Sequence, residues 1–242
     1  MMLFINGLKF FILLCLLFPA NVLFAQTPVP LKQSYLFFPY PMDRNWHTSL
    51  GATFTNIPDE VTEEARPRVP AGDLHVLRKI NNKFAIDGRL NFQVIQNHLS
   101  IGPRWIHVIN DRLSFSVGDD IAWWFGYFNF SSFDTKANGW INYPNASLGI
   151  KMKNQILVTL KGEAMITLYE RSTVGKQSIA KSGLEWNGYA GSIMLEQPLY
   201  KNKSFILGFK GQYTNFFWQT WPLFPTFNKT IFYPEVIAGF VL

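Results

Sequence analysis

The chain has 242 residues and a formal net charge of +6, and only 16% of its residues are charged, where a soluble domain usually carries about a quarter. Aromatic residues are abundant, with 23 Phe, 9 Tyr and 8 Trp. The basic residues are scattered, so no nucleic-acid-binding patch is predicted. The single cysteine, Cys15, lies in an N-terminal apolar segment, which leaves the rest of the chain without disulfides or thiolate chemistry.

Residues 1–25 have the pattern of a secretory signal peptide. Lys9 is their only charge, Phe10–Phe18 is continuously apolar, and the small residue Ala25 precedes Gln26 at the expected cleavage point. The apolar run is too short for a membrane-spanning helix. A lipid anchor at Cys15 is not favoured, because no small residue precedes it. Removing Lys9 takes the formal charge from +6 to +5.

Residues 26–45 are predicted to form an extended arm rather than a domain. The segment contains Pro28, Pro30, Pro39 and Pro41 around the aromatic run Tyr35–Phe38. Proline cannot donate a backbone hydrogen bond and interrupts regular elements.

From Trp46 to the C-terminus the chain reads as a series of β-strands, beginning with Trp46–Asn56. The clearest is Phe84–Val94, where apolar residues occupy one parity and Asp87, Arg89, Asn91 and Gln93 the other. Its length suits a tilted strand that crosses a bilayer, about 9–11 residues. The other predicted strands are Leu74–Ile80, Leu99–Ile109, Leu113–Phe128, Asn145–Met152, Ile156–Tyr169, Trp186–Leu199, Phe205–Phe216 and Ile231–Leu242.

Short turns and longer loops alternate between these strands. The predicted tight turns are Asn81–Lys83, Asn110–Arg112, Lys153–Gln155 and Tyr200–Lys203, and the predicted long loops are Ile57–Gly72, Phe130–Tyr143, Glu170–Glu185 and Phe217–Lys229. Short periplasmic turns and long outer loops are typical of outer-membrane barrels. About ten strands are counted, but Gln96–His98 is short where an outer loop is expected, so eight or twelve strands remain possible.

With this pattern, Trp46–Leu242 resembles the small bacterial outer-membrane β-barrel proteins, and the signal ending Phe24-Ala25-Gln26 resembles those of Bacteroidetes. The resemblance implies a single antiparallel up-and-down transmembrane barrel that contacts outer-membrane lipid. It also implies that the last strand is read by the outer-membrane assembly machinery. That strand keeps the family's alternation, but Leu242 stands where an aromatic residue is usual. The arm is then expected to pack against or inside the periplasmic end.

Alternation alone does not decide which face of the strands is outside, and a soluble lipocalin-like binder would place the apolar face inward. The sparse charge, the asymmetry of the turns and aromatic residues near strand ends favour the membrane interpretation. The predicted aromatic girdle consists of Trp123, Phe125, Tyr127, Phe216, Phe217 and Trp218.

If the polar face is luminal, a charged network is predicted inside the barrel. Its members are Asp87, Arg89, Asn91, Gln93, Arg104, Asp120, Lys161, Glu163, Glu196, Lys210 and Glu235. Acidic and basic groups are nearly balanced, as buried charges require. A ten-stranded barrel is close to the size that side chains fill, so a wide pore is not expected. Asp119 falls on the lipid-facing parity, which predicts a bulge or a shifted register there.

The sequence singles out no catalytic, cofactor-binding or metal-binding residue. His47, His75, His98 and His107 are its histidines, and none has Ser/His/Asp spacing or metal-ligand spacing. The expected function is therefore a non-enzymatic outer-membrane protein with a structural or surface-interaction role through its outer loops, whose external ligand the residues do not identify. A narrow channel for small polar solutes, a rim-located hydrolase and the lipocalin-like binder are the alternatives.

Overall fold

The computed structural model describes residues 33–62, 67–130, 133–174, 177–199, 203–223 and 229–242. The predicted signal peptide and the first residues of the arm lie outside these ranges. Ten antiparallel strands form one closed barrel in which each strand pairs with its neighbours in sequence and β1 pairs with β10. The predicted fold class and the count of ten strands are confirmed.

The strands have the following bounds: β1 Trp46–Asn56, β2 Arg68–Lys79, β3 Phe84–Phe92, β4 Gln96–Val108, β5 Leu113–Phe130, β6 Phe133–Lys151, β7 Leu157–Val174, β8 Gln177–Pro198, β9 Ser204–Thr214 and β10 Ile231–Val241. A short α-helix, Asp59–Thr62, lies between β1 and β2, and a 3-10 helix, Trp218–Leu223, lies between β9 and β10. No helix among the described residues is long and apolar enough to cross a membrane.

Two of the predicted long loops are wrong. Residues 130–143 and 170–185 are mostly strand, because β5 and β6 pair up to Phe130–Phe133, and β7 and β8 pair up to Val174–Gln177. Ser, Asn and Gly residues in these stretches suggested loops, but the ladder of backbone hydrogen bonds continues through them. The predicted turn Gln96–His98 is also misplaced, since those residues begin β4 and the connection is Gln93–Ile95. Residues 200–202 of the fourth tight turn lie outside the described ranges.

The four central strands are much longer than the rest. β5 to β8 contain 18, 19, 18 and 22 residues, whereas the other six strands contain 9 to 13. Pairing with β4 stops at Gly126 and pairing with β9 begins at Gly188. The described residues beyond these points, 127–130, 133–136, 168–174 and 177–186, therefore continue past the barrel rim as one four-stranded unit, which we call the projecting sheet.

The wall of the barrel has an apolar outer face. On β7, Leu160 is exposed outside, whereas Lys161 points into the interior. The same parity exposes Leu50, Val117, Ile193, Phe209 and Val236 on other strands. This arrangement is the reverse of a water-soluble barrel, in which the exposed face is polar.

Asp119 is an exception on the outer face, and the predicted cause is wrong. The β5–β6 register runs without interruption through Asp119–Pro144 and Asp120–Tyr143, so neither a bulge nor a register shift occurs there. Asp119 lies outside, where Asn142 Nδ2 donates a hydrogen bond to its carboxylate at 2.6 Å, while Asp120 points inward.

Candidate functional site in the barrel interior

The N-terminal arm fills one end of the barrel, which we call the arm end. It is the end that carries the turns at 80–83, 109–112 and 152–156, and β1 begins and β10 ends there. Tyr35, Leu36, Phe38 and Tyr40 are buried, each with at most 3% of its surface exposed. Leu36 packs with Leu77, Ile206 and other inward-facing aliphatic side chains of the barrel wall.

Glu196 on β8 holds the arm by its main chain. This fully buried carboxylate accepts hydrogen bonds from the backbone N–H groups of Leu36 at 2.5 Å, Phe37 at 3.3 Å and Phe38 at 2.8 Å. Hydrogen bonds to a charged group are stronger than those between neutral groups. The arm is therefore fixed in position as well as packed.

A second charged group on the wall binds the same stretch of the arm. Arg104 on β4 donates to the backbone oxygen of Leu36 at 2.8 Å and to the carboxylate of Asp87, which also bonds the ring of His75. The arm is thus connected to a buried cluster on β2, β3 and β4.

The arm also bonds to itself and to β1. Tyr35 Oη donates to the backbone oxygen of Pro41 at 2.5 Å, and the ring of His47 bonds the backbone oxygen of Tyr35 and the Asp43 carboxylate. Burial raises the pKa of the Tyr35 phenol well above its ordinary value, and Asp43 and Glu196 add to this effect. Tyr35 therefore stays protonated and remains a donor.

The middle of the lumen holds a layer of ion pairs. Arg89 makes two hydrogen bonds with Asp73, at 2.8 and 3.0 Å, and Asn91 donates to the same carboxylate. Across the barrel, Lys161 lies 3.3 Å from Glu163, which also pairs with Lys210.

The remaining acidic groups of this layer have mixed partners. Asp120 accepts from Asn145 at 2.9 Å and lies 3.8 Å from Lys161. Glu235 accepts from the Thr55 hydroxyl at 3.1 Å. Charges removed from water need such partners, since a lone buried charge costs several kcal/mol.

A cavity of about 50 Å³ lies within this layer. That volume accommodates roughly three or four water molecules. Its lining residues are Arg89, Asn91, His98, Ser100, Asp120, Tyr143, Glu163, Lys210, Gln212, Trp218 and Glu235.

Aromatic side chains close the opposite end, which we call the cap end. Phe217, Trp218 and Trp221, from the segment between β9 and β10, are buried and pack with Trp124 and Tyr233 on the wall. The ring of His98 stacks on Trp218 with centroids 5.2 Å apart, and Gln96 Nε2 donates to the backbone oxygen of Gln219. The described segments therefore occupy the lumen at both ends.

The structure places most of the predicted network on the inner face but does not bring all of it together. Asp87, Arg104 and Glu196 belong to the arm end, whereas Arg89, Asn91, Asp120, Lys161, Glu163, Lys210 and Glu235 form the middle layer. Gln93 is separate from both: it lies in the β3–β4 connection and bonds the backbone oxygen of Pro70 and the side chain of Gln96.

The predicted network did not include Asp73 and His75, although both are buried: Asp73 pairs with Arg89, and the His75 ring hydrogen-bonds to Asp87. Their strand was predicted to begin at Leu74, and Arg78 and Lys79 blurred its parity. β2 actually begins at Arg68, and from there Ala71, Asp73, His75 and Leu77 share the inner face. The hydrogen bonds of the arm's backbone with Glu196 and Arg104 leave no pattern in the sequence, because they do not involve the arm's side chains.

Half of the predicted girdle lies elsewhere. Trp123 and Tyr127 are exposed on the outer face, and Trp123 stacks on Phe125. Phe217 and Trp218 are buried in the cap, and Phe216 is half-buried against Trp124. The prediction for these three residues is wrong because the chain turns into the lumen after Asn215 instead of ending at the outer surface.

The histidines make contacts that fix structure. His75 bonds Asp87, His47 bonds Asp43, and His98 bonds the Tyr143 hydroxyl at 3.1 Å. His107 lies on the outer face beside Trp105 and Phe115. These contacts give no support to a hydrolase. The described residues contain no group of three or more His, Cys, Asp or Glu side chains placed to hold a metal ion.

No protein-family model matches the chain, and no curated protein matches it. Among solved structures, Neisserial surface protein A aligns with 12% identity and a TM-score of 0.39, covering 82% of this chain and 97% of its own. Ail, the attachment invasion locus protein of Yersinia pestis, aligns with 10% identity and a TM-score of 0.37, over 81% and 95%.

The translocator domain of the autotransporter NalP from Neisseria meningitidis aligns with 8% identity and a TM-score of 0.41, over 82% of this chain and 89% of its own. These neighbours are bacterial outer-membrane β-barrels. At such low TM-scores the ten-stranded fold rests on the strand pairing of this chain, not on the alignments.

Proposed function

We propose that the protein is a non-enzymatic barrel of the bacterial outer membrane that does not conduct solutes and that contacts a macromolecule outside the cell through its projecting sheet. The observation that carries the proposal is the shape of the wall. The lumen is filled from both ends, while β5 to β8 alone continue past the rim.

The outer face supports placement in a membrane. Large apolar side chains are exposed around the whole barrel, and such a surface is costly in water but suits lipid. Trp123 and Trp140 stack on neighbouring strands at the base of the projecting sheet, where aromatic residues are expected at the edge of the bilayer.

The projecting sheet has side chains suited to recognition. Leu184 is 83% exposed, Trp186 and Tyr127 are about half exposed, and Lys136 lies 5.2 Å from the centre of the Tyr127 ring. Aromatic residues are enriched in protein interfaces. The described residues of the sheet are paired in antiparallel strands, so binding requires less ordering than it would for an irregular loop.

Two leucine-to-arginine variants test the membrane placement. Leu160→Arg puts a cation on the outer face of β7 and should reduce the free energy of unfolding by about 2–4 kcal/mol, the cost near the bilayer midplane. Leu184→Arg is the matched control on the projecting sheet and should change it by less than about 0.5 kcal/mol. Equal effects in lipid vesicles, or a wild-type protein that is soluble without detergent, would contradict the proposal.

Photo-crosslinking on intact cells tests the surface role. A photoreactive residue at Ser178, on the projecting sheet, should give adducts with macromolecules outside the cell, whereas the same residue at Lys153, at the arm end, should not. Adducts from position 153 only would reverse the orientation, and adducts from neither position would remove the recognition role. Planar-bilayer recordings should show no steady conductance, and a large steady current would favour the channel alternative.

A further inference from the structure

An open groove of about 750 Å³ lies at the arm end, between the turn that connects β4 to β5 and the end of β6. It is separate from the lumen and from the projecting sheet. Its lining combines cationic, amide and apolar side chains: Asn110, Arg112, Leu113, Ile150, Lys151, Met152, Lys153 and Asn154.

Two tight turns give the groove a fixed backbone. The side-chain oxygen of Asn110 accepts hydrogen bonds from the backbone N–H groups of Arg112 and Leu113, both at 2.9 Å. Lys151 N–H donates to the backbone oxygen of Arg112 at 2.7 Å, which joins the two turns. These backbone hydrogen bonds therefore hold the cationic residues next to one another, while their long side chains can change conformation.

The three cations of the groove are available to a ligand. Within the described ranges, no carboxylate lies within 4.0 Å of Arg112, Lys151 or Lys153. Asp111 precedes Arg112 in the same turn and offsets part of this charge, and burial together with the Asp111 carboxylate raises the pKa of Tyr40 in the arm. Among the described residues the groove therefore keeps a net positive charge, with three cations and one neighbouring carboxylate.

The other side of the groove is apolar and continues into the outer face of the barrel. Leu113 and Ile150 are half-buried, and Met152 is 48% exposed. Trp105 and Phe115 lie on the same outer face, in an aromatic cluster with ring centroids 5.5 Å apart. Aromatic residues of this kind mark the headgroup region of a bilayer, so the groove lies where headgroups meet acyl chains.

We propose that this groove binds an anionic phospholipid of the membrane leaflet on the arm side. The lipid phosphate lies among the three cations, and the first part of an acyl chain lies against Leu113, Ile150 and Met152. Lys and Arg side chains at a membrane surface attract anionic headgroups, and clustered cations favour them over zwitterionic ones. The inference rests on the proposed function only in requiring that the barrel be embedded in a membrane.

Free phosphate offers the same anionic chemistry but would not use the apolar side of the groove. Most of the exposed lining consists of apolar atoms, and Leu113, Ile150 and Met152 contribute to it. An amphiphilic groove at the lipid boundary fits a phospholipid, and a lipid is therefore the ligand to which we commit.

The test uses the full mature chain, purified in detergent with equal amounts of phosphatidylglycerol and phosphatidylcholine, and native mass spectrometry of the lipids that remain bound. The triple variant R112Q/K151Q/K153Q should retain phosphatidylglycerol at least roughly tenfold less than the wild type. The control R68Q/K136Q/R171Q removes the same number of charges from the opposite side of the molecule, one at the start of β2 and two on the projecting sheet, and should retain phosphatidylglycerol as the wild type does.

A second variant distinguishes binding of a lipid from binding of free phosphate. Met152→Ser should weaken retention of phosphatidylglycerol while leaving any binding of inorganic phosphate unchanged. Equal retention of the two lipids by the wild type, equal losses in both triple variants, or displacement of the lipid by millimolar inorganic phosphate would overturn the inference. A barrel that inserts into vesicles but shows no lipid preference loses this inference alone, whereas one that does not insert loses the proposed function.

Discussion

The two ends of the barrel are closed by different physical means. At the arm end, a segment that precedes β1 is held by hydrogen bonds from Arg104 and to Glu196, both charged groups on the wall. At the cap end, the segment after β9 is held mainly by ring packing among Phe217, Trp218 and Trp221.

The two ends differ in how firmly the segment inside the barrel is held in one position. Hydrogen bonds to charged groups fix the position of a backbone, whereas aromatic packing tolerates small shifts. Among the described residues, buried polar atoms without a hydrogen-bond partner occur at both ends, but those of Gln219 and Trp221 belong to the cap segment itself, whereas those of Ser114 and Thr159 at the arm end belong to the barrel wall. Buried groups of this kind lower the stability of the region that contains them. We therefore expect the cap end to open before the arm end.

Removing the arm should have the largest effect. Deletion of residues 33–42 uncovers Tyr35, Leu36, Phe38 and Tyr40, each worth about 1.5–3 kcal/mol of burial, so the free energy of unfolding should fall by more than about 5 kcal/mol. Unfolding by urea in detergent micelles measures it, and a small ion conductance should appear in planar bilayers. Unchanged stability without the arm would remove the distinction between the two ends.

Truncation in the cap should have the next largest effect. Trp221→Ala leaves a cavity beside Gly126 and should reduce the free energy of unfolding by about 3–5 kcal/mol. Hydrogen exchange should accelerate at Thr220 and leave the N–H groups of Leu36 and Phe38 protected. If the amide groups of both the cap and the arm lost their protection from exchange together, the two segments would unfold as one cooperative unit.

Neutralising the anchor of the arm should have an intermediate effect. Glu196→Gln keeps the shape of the side chain but replaces one of its two acceptor oxygens by an NH2 group, so at least one of the three N–H donors loses its acceptor and a loss of about 1.5–3 kcal/mol is expected. Glu235→Gln is the matched control, since its bond is to the Thr55 hydroxyl, and it should cost less. Hydrogen exchange of the Leu36 N–H should be faster in Glu196→Gln and unchanged in Glu235→Gln. Equal exchange rates in the two variants would contradict the role of Glu196 as the anchor of the arm.

The smallest effect is expected where one ring is replaced in the cap. Trp218→Leu keeps an apolar side chain but removes the stack on His98, which is worth about 0.5–1.5 kcal/mol beyond burial. Chemical unfolding followed by circular dichroism measures the change. A loss as large as that of Trp221→Ala would show that His98 is essential to the cap.

The fold was predictable because alternation along each strand is a local signal. In Phe84–Phe92 the large apolar residues share one parity and Asp87, Arg89 and Asn91 share the other, so its two faces could be read directly, although the strand ends two residues earlier than predicted. The tight turns were marked by Asn, whose side chain bonds the backbone two and three residues later, as at Asn81 and Asn110. The closed order of strands then follows from pairing between neighbours in sequence.

The interior was only partly predictable because its contacts join distant parts of the chain. Glu196 could be assigned to the inner face from parity, but its partners, the N–H groups of Leu36 to Phe38, are backbone atoms about 160 residues earlier. The path of the segment after Asn215 is decided by burial of its rings, which composition alone cannot distinguish from an interfacial girdle. Hairpins rich in Ser, Asn and Gly look like loops until their pairing partners are known.

The contact between Glu196 and the arm has an evolutionary consequence. Because the carboxylate bonds main-chain amides and not side chains, the identities of residues 36, 37 and 38 can drift as long as they remain apolar enough for the interior. Proline is the substitution that these positions exclude, since it has no N–H to donate. The chain places its prolines at 39 and 41, directly after the last amide that Glu196 uses. Homologues of this protein should therefore vary in the amino acids of the arm but have no proline at the positions of residues 36–38. They should keep an acidic residue at the position of Glu196 on β8.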